Sequence, residues 1–181
     1  MDIFAHGLWT GAAARYANHK KATERRVNPW LAAFWGVVPD LFAFTIPFIA
    51  MIWALTTGDM QWSDFGPPED SATGERPSFA LSHSLYNISH SAVTFAAAFG
   101  LVWLFRKRPQ WEMLGWLLHI MIDIPTHSAE FFPTPLFWPI SAWKFLSGFS
   151  WGVWWFMIAN YTALGAAYFW LWRKEKAETA L

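Results

Sequence analysis

Cysteine is absent from the 181 residues. That excludes disulfide scaffolds, zinc ribbons and thiol nucleophiles together. Charge is scarce too: Asp, Glu, Lys and Arg make up 14% of the chain, well short of what a soluble domain of this size displays on its surface. No internal repeat and no low-complexity tract interrupts the sequence. No cleavable leader is expected, because the basic residues follow the first apolar stretch instead of preceding it. Those basic residues form clusters and not a continuous face, which leaves nucleic-acid binding without support.

What is there in abundance is apolar and aromatic. Hydrophobic residues make up 55% of the chain, including 15 Trp and 17 Phe. Tryptophan on this scale fits helix ends that repeatedly meet a lipid–water interface. The chain length fits one integral-membrane domain, residues 1–181. Formal net charge is zero, but the charges are segregated. Three basic clusters (Arg15, Lys20, Lys21, Arg25 and Arg26; Arg106, Lys107 and Arg108; Arg173, Lys174 and Lys176) hold every Lys and Arg except Arg76 and Lys144. The segment 58–82 instead carries Asp59, Asp64, Glu69, Asp70 and Glu75 against Arg76. The positive-inside rule puts the three clusters in the cytoplasm and the exposed acidic loop on the far side. The expected location is the inner membrane of a bacterium.

Four apolar stretches, 30–57, 88–105, 111–125 and 149–172, approach the roughly 20 residues a membrane-spanning helix needs. The expected fold is all-α and polytopic: four spans plus a short N-terminal helix that dips into the bilayer. Between the last two spans, "FFPTPLFWPISAWKFL" contains three prolines, so 131–147 reads as an irregular interfacial segment.

Polar residues break into this apolar pattern at matching depths. At about 1.5 Å per helical residue, Asp40 lies about 15 Å in from the cytoplasmic side, His119 about 12 Å and Asp123 about 18 Å. His90 lies about 22 Å from the same face, and His6 reaches that level if its segment dips. In "LLHIMIDIPTHSAEFF", His119 and Asp123 share one helix face at i and i+4, and His127 follows on the same side. Pro125 is placed to end that helix, and Pro39 to break the backbone beside Asp40.

An Asp near the bilayer centre costs about 2.5–3.5 kcal/mol on insertion scales, so Asp40 and Asp123 need compensation. Lys144, Arg76 and Arg15 fall in segments placed outside the apolar core. A single buried histidine is usually a hydrogen-bonded structural residue. Several histidines and two aspartates from separate segments at one depth point instead to a divalent metal. Imidazole and carboxylate without thiolate suit Zn²⁺, with Mn²⁺ or Fe²⁺ as alternatives. His83, in an earlier "SHS" copy, is a weaker candidate than His90, and His19 reads as solvated and idle.

The blocks "HGLW", "GVVPD", "YNISHS" and "LHIMIDIPTHSAEFFPTPLFWP", in this order over residues 6–139, resemble the YdjM-like family of membrane-bound metal-dependent hydrolases. That family is distantly similar to the superfamily of zinc-dependent phospholipase C and single-strand nucleases. These are all-helical enzymes that cleave phosphoesters at a cluster of three metals. The resemblance implies His6, Asp40, His90, His119, Asp123 and His127 as metal ligands, with Asp123 bridging two ions. The superfamily's exposed N-terminal tryptophan and its second His-x-x-x-Asp/Glu helix have no counterpart, so one or two ions are expected. Glu130 is the only acid shortly after His127.

The expected function is a membrane-embedded hydrolase acting on a phosphoester of a lipid or lipid-linked substrate through a metal-activated water, with Asp40 and Asp123 in catalytic roles. Two non-enzymatic alternatives stand beside it: ion or proton transport through the buried cluster, and an interaction module holding a structural metal. A serine hydrolase is excluded. "GFSWG" fits G-x-S-x-G, but neither Asp nor His follows His127.

Overall fold

A computed structural model describes residues 1–20, 26–59, 77–129 and 131–178. Six α-helices and no strand occur among them: α1 (Ile3–Lys20), α2 (Pro29–Thr57), α3 (Pro77–Ser89), α4 (Ala92–Arg106), α5 (Leu114–Thr126) and α6 (Trp154–Glu178). A 3₁₀ turn, Trp111–Met113, leads into α5. Most of the acidic loop, with Asp64, Glu69, Asp70 and Glu75, lies outside the described residues, as do Lys21, Arg25, Arg76 and Glu130.

The molecule is built inside out relative to a water-soluble domain. Trp30, Phe34, Phe42, Ile46, Phe48, Ile49, Ile52 and Trp53 of α2 point outward, whereas His6, Thr10, Ser89, His90, Ser91, His119 and Asp123 are buried. Exposed apolar area on this scale is stable against lipid and not against water. Helix α2 starts cleanly because the Asn28 side chain accepts from the Trp30 and Leu31 amides and Pro29 occupies the first turn. It ends 29 residues later at Gly58, whose φ of 81° is the left-handed conformation of a helix stop.

The described residues do not confirm four independent spans. Among the described residues α2 alone is long and apolar enough to cross a membrane, and the pair Leu81–Ser89 and Ala92–Arg106 passes only if taken together across a 60° bend. Helix α5 ends after 13 residues, where Pro125 withholds its N–H. Helix α6 carries Asn160, Tyr161, Tyr168, four tryptophans and five charged residues that lower its apolar character. The N-terminal helix is longer than a short dip, at 18 residues.

Two local expectations are also corrected. Pro39 does not break α2, which runs through Pro39 and Pro47 without interruption. Membrane helices tolerate such prolines when neighbours satisfy the freed carbonyls. His90, expected within a helix, sits instead at the break between α3 and α4, where the Ser91 side chain accepts from the Val93 and Thr94 amides and starts a new helix.

Helix α2 is the centre of the bundle, with α1, α3 and α5 packed on it. Close approach is permitted by small residues: a Cβ at Gly36 would strike Thr10 of α1, and one at Gly115 of α5 would strike the Ala32 carbonyl oxygen. The irregular stretch 131–147 is helix-free as its prolines require. "GFSWG" closes the end of α5. The Phe149 amide donates to the Pro125 carbonyl and the Trp151 amide to that of Thr126, both at 3.0 Å. These are carbonyls a helix terminus leaves without an internal partner.

The basic segments meet at one end. His19, at the end of α1, lies 3.0 Å from Glu178 at the end of α6, so it is neither solvated nor idle. The Asn28 amide donates to Glu112 just ahead of α5 (3.1 Å).

Candidate metal centre

Three helices and one break deliver the polar residues to one buried point. His6 comes from the second turn of α1, Asp40 from the middle of α2, His90 from the α3–α4 break, and His119 and Asp123 from successive turns of α5. His127 caps the end of α5, its amide donating to the Asp123 carbonyl at 3.1 Å. His6, His90, His119 and Asp123 have no exposed surface, His127 retains 3% and Asp40 8%. Asp40 is therefore the most accessible member.

Asp123 organises the group. Its Oδ1 faces His6 Nε2 at 2.9 Å and His127 Nε2 at 3.4 Å. Its Oδ2 faces His119 Nε2 at 3.2 Å and His90 Nε2 at 3.4 Å. Asp40 Oδ1 closes the second side, 3.4 Å from His90 Nε2 and 3.7 Å from His119 Nε2. Each oxygen of one carboxylate thus faces two imidazoles. Ligand atoms of Asp40, His90, His119 and Asp123 all lie within 4.8 Å of one another, and this group could hold a metal ion.

Proton bookkeeping supports a cation. His119 Nδ1 lies 2.7 Å from the Gly36 carbonyl oxygen. A carbonyl only accepts, so Nδ1 carries the proton and Nε2 turns a lone pair towards Asp123 and His90. His127 repeats the pattern: Nδ1 donates to the Phe132 carbonyl at 2.9 Å and leaves its Nε2 lone pair facing inward. The second side therefore gathers lone pairs and two carboxylate oxygens, with the 2.9 Å contact between His90 Nε2 and His119 Nε2 able to share one proton. Asp123 Oδ2 and His6 Nδ1 are buried with no hydrogen-bond partner. Buried acceptors aimed at one another are costly unless something positive lies among them. A divalent ion satisfies that donor set. Among the described residues the ion pairs to Asp40 and Asp123 come from histidines and the Met1 amino group; Arg15 and Lys144 take no part.

A family model for the YdjM inner membrane protein matches residues 1–181. The chain belongs to that family. No curated protein and no solved structure matches it. The family name marks this YdjM protein as one of an inner membrane, in keeping with α2 and its outward apolar side chains.

The YdjM chain also carries supporting groups that sequence reasoning did not single out. The Tyr86 hydroxyl lies 2.9 Å from His127 Nδ1 and 3.5 Å from Thr134 Oγ1, while its ring stacks on His90 at 3.7 Å. Ser89 Oγ sits 2.9 Å from His90 Nδ1. Tyr86 and His90 are four residues apart before the α3–α4 break, a spacing that could have flagged the tyrosine. The Gly36 and Phe132 carbonyls leave no trace in residue type. Phe132 holds its carbonyl in place from a left-handed backbone, φ 45°. The Met1 amino nitrogen, 2.5 Å from Asp123 Oδ1 and 3.1 Å from His127 Nε2, is a further neighbour that sequence reasoning did not foresee. His83 lies outside the group, exposed and stacked on Phe132 at 4.3 Å.

Outer partners tune such sites: their loss typically costs roughly 10–100-fold in metal affinity. Tyr86→Phe is expected at the low end, about tenfold, because the Phe132 carbonyl still holds His127. Competition with a chelating dye measures it.

Proposed function

We propose that this protein is a membrane-embedded, metal-dependent hydrolase that cleaves a phosphoester of a lipid or lipid-linked substrate. The observation that carries the reading is Asp123, buried between two pairs of imidazoles with Asp40 closing one side. That arrangement fits one ion held by Asp40, His90, His119 and Asp123. The other oxygen of Asp123, which faces His6 and His127, pairs with the Met1 amino group, so a second ion there would have to displace it. Zn²⁺ suits these donors best. Bound there, a divalent ion supplies Lewis acidity: it acidifies water near neutral pH and offsets charge on phosphoryl oxygens.

The chain's own residues do the rest. A cavity of about 290 Å³ adjoins the site, with Asp40 and His127 in its wall. Phe44, Phe48, Phe131, Phe132 and Trp151 make most of the remainder, with Met1, Asp2 and Ile3 completing it. Phe44 and Phe48 follow Asp40 along α2, so the cavity lies on the side away from the basic ends. An apolar wall beside a polar cluster suits a phosphoester attached to a hydrocarbon chain better than a polymer. Asp40, the accessible carboxylate, is placed to orient an attacking water and accept its proton. The aromatic wall excludes bulk water and aligns the substrate's chain.

The test is metal analysis of protein purified in mild detergent, followed by assays with phosphatidic acid, polyprenyl phosphate and phosphatidylethanolamine. Stoichiometric zinc, manganese or iron is expected. Chelation should reduce hydrolysis at least tenfold, and re-addition of the ion should restore it. Tight metal with no turnover of any phosphoester would favour a structural module. Protein that contains no metal yet moves protons or ions across vesicles would favour transport.

A further inference from the structure

Two cavities at the basic end of the bundle play no part in the site above. One, about 200 Å³, is lined by Arg26, Arg106 and Arg108, with Gln110 and Glu112 beside them. The other, about 240 Å³, is an apolar groove between α1 and α5, walled by Ala13, Ala17, Leu114 and Leu118. Val27 and Trp111 line both, so the basic cavity adjoins the groove.

Local structure builds the basic cavity. Helix α4 stops at Lys107, whose left-handed φ of 55° turns the chain and brings Arg106 and Arg108 to the same wall. Arg26 arrives from the segment ahead of α2. The one acid in the lining, Glu112, is already engaged by the Asn28 amide and the Gln110 side-chain amide. None of the three arginines forms an ion pair among the described residues. The positive-inside rule accounts for arginines on this side of the membrane. It does not account for three of them from two segments lining one cavity whose lining holds a single carboxylate, Glu112.

We propose that the paired cavities bind an anionic phospholipid of the cytoplasmic leaflet, its phosphate among Arg26, Arg106 and Arg108 and one acyl chain in the groove. Guanidinium groups match phosphate oxygens in paired hydrogen bonds. Basic recesses between membrane helices are suited to such headgroups, at about 1 kcal/mol per cationic residue near the surface. Trp111, 41% exposed, stands where the two cavities meet, the position an aromatic residue takes between headgroup and hydrocarbon. The ligand would hold the segment ahead of α2, the end of α4 and the start of α5 together.

The experiment is native mass spectrometry of the whole protein in detergent, titrated with phosphatidylglycerol, with phosphatidylcholine of the same acyl chains, and with glycerol phosphate. Phosphatidylglycerol is expected to bind at least tenfold more tightly than phosphatidylcholine. The double variant Arg106→Gln, Arg108→Gln should weaken it roughly 30-fold, the equivalent of about 2 kcal/mol. A second variant, Ala13→Phe, fills the groove and should weaken phosphatidylglycerol while leaving glycerol phosphate unchanged. Helical circular dichroism and elution volume confirm that each variant is folded. Equal binding of the two lipids, or full affinity in the folded double variant, overturns the proposal. Glycerol phosphate binding as tightly as the lipid also overturns it and identifies a soluble phosphate as the ligand.

Discussion

Asp123→Asn is expected to release the bound metal and abolish hydrolysis, reducing it by more than the roughly 100-fold upper range seen when an outer partner is lost. The reason is that one carboxylate serves both halves of the centre. Oδ1 faces His6 and His127, and Oδ2 faces His90 and His119. Asparagine preserves the shape but puts an NH₂ group against one pair of imidazoles and removes a full negative charge from both sides. An amide donor facing His119 Nε2 competes for the lone pair a metal would use. Asp40→Asn removes charge from one side only and should leave part of the metal in place. Metal content by mass spectrometry and lipid phosphoester turnover, measured on the same folded preparation, check both variants. An Asp123→Asn protein that keeps its metal and its rate would sink the proposed centre.

Gly115→Ala should damage the fold and the site together. The added Cβ would strike the Ala32 carbonyl oxygen and lie 3.1 Å from the Gly36 amide nitrogen. These are backbone atoms and cannot rotate aside, so α5 must move away from α2. Overpacking of this kind costs about 1–3 kcal/mol, which for a chain of this size lowers the unfolding midpoint by about 2–12 °C. The same displacement stretches the 2.7 Å bond from His119 to the Gly36 carbonyl, one turn along the same helix face. Metal affinity should fall by about 10–100-fold as His119 loses its orientation. Gly100→Ala, where a Cβ meets nothing within 4 Å, is the control. It should be neutral or slightly stabilising, since alanine favours a helix over glycine by about 1 kcal/mol. Equal behaviour of the two variants would show that the α2–α5 approach is not tight.

How much of the centre could be read beforehand follows from the cost of burying charge. A carboxylate in an apolar stretch is conspicuous because it requires a partner, and the helical repeat supplies its approximate depth. That reasoning named six residues; the fold brings Asp40, His90, His119 and Asp123 within 4.8 Å of one another and sets His6 and His127 against Asp123. It failed where backbone and not side chain decides. The break at His90 depends on Ser91 capping a new helix, whereas an apolar run reads as one continuous helix. Pro39 looked like a break, yet packing from α1, α3 and α5 carries α2 straight through. The four-span expectation, which rested on apolar length, is not confirmed: α5 stops at Thr126, and residues 149–151 fold back to cap it.

Residue composition and spacing by themselves determined a helical membrane protein with its basic ends on one side and aspartates that demand compensation. Both follow from transfer energies, which depend on residue type and little on neighbours. Only the three-dimensional packing decided that one oxygen of Asp123 faces His6 and His127 while the other faces His90 and His119, and that backbone carbonyls of Gly36 and Phe132 aim the imidazoles. Those relations join residues far apart in the chain through main-chain groups common to every amino acid, so no pattern of side chains along the sequence encodes them.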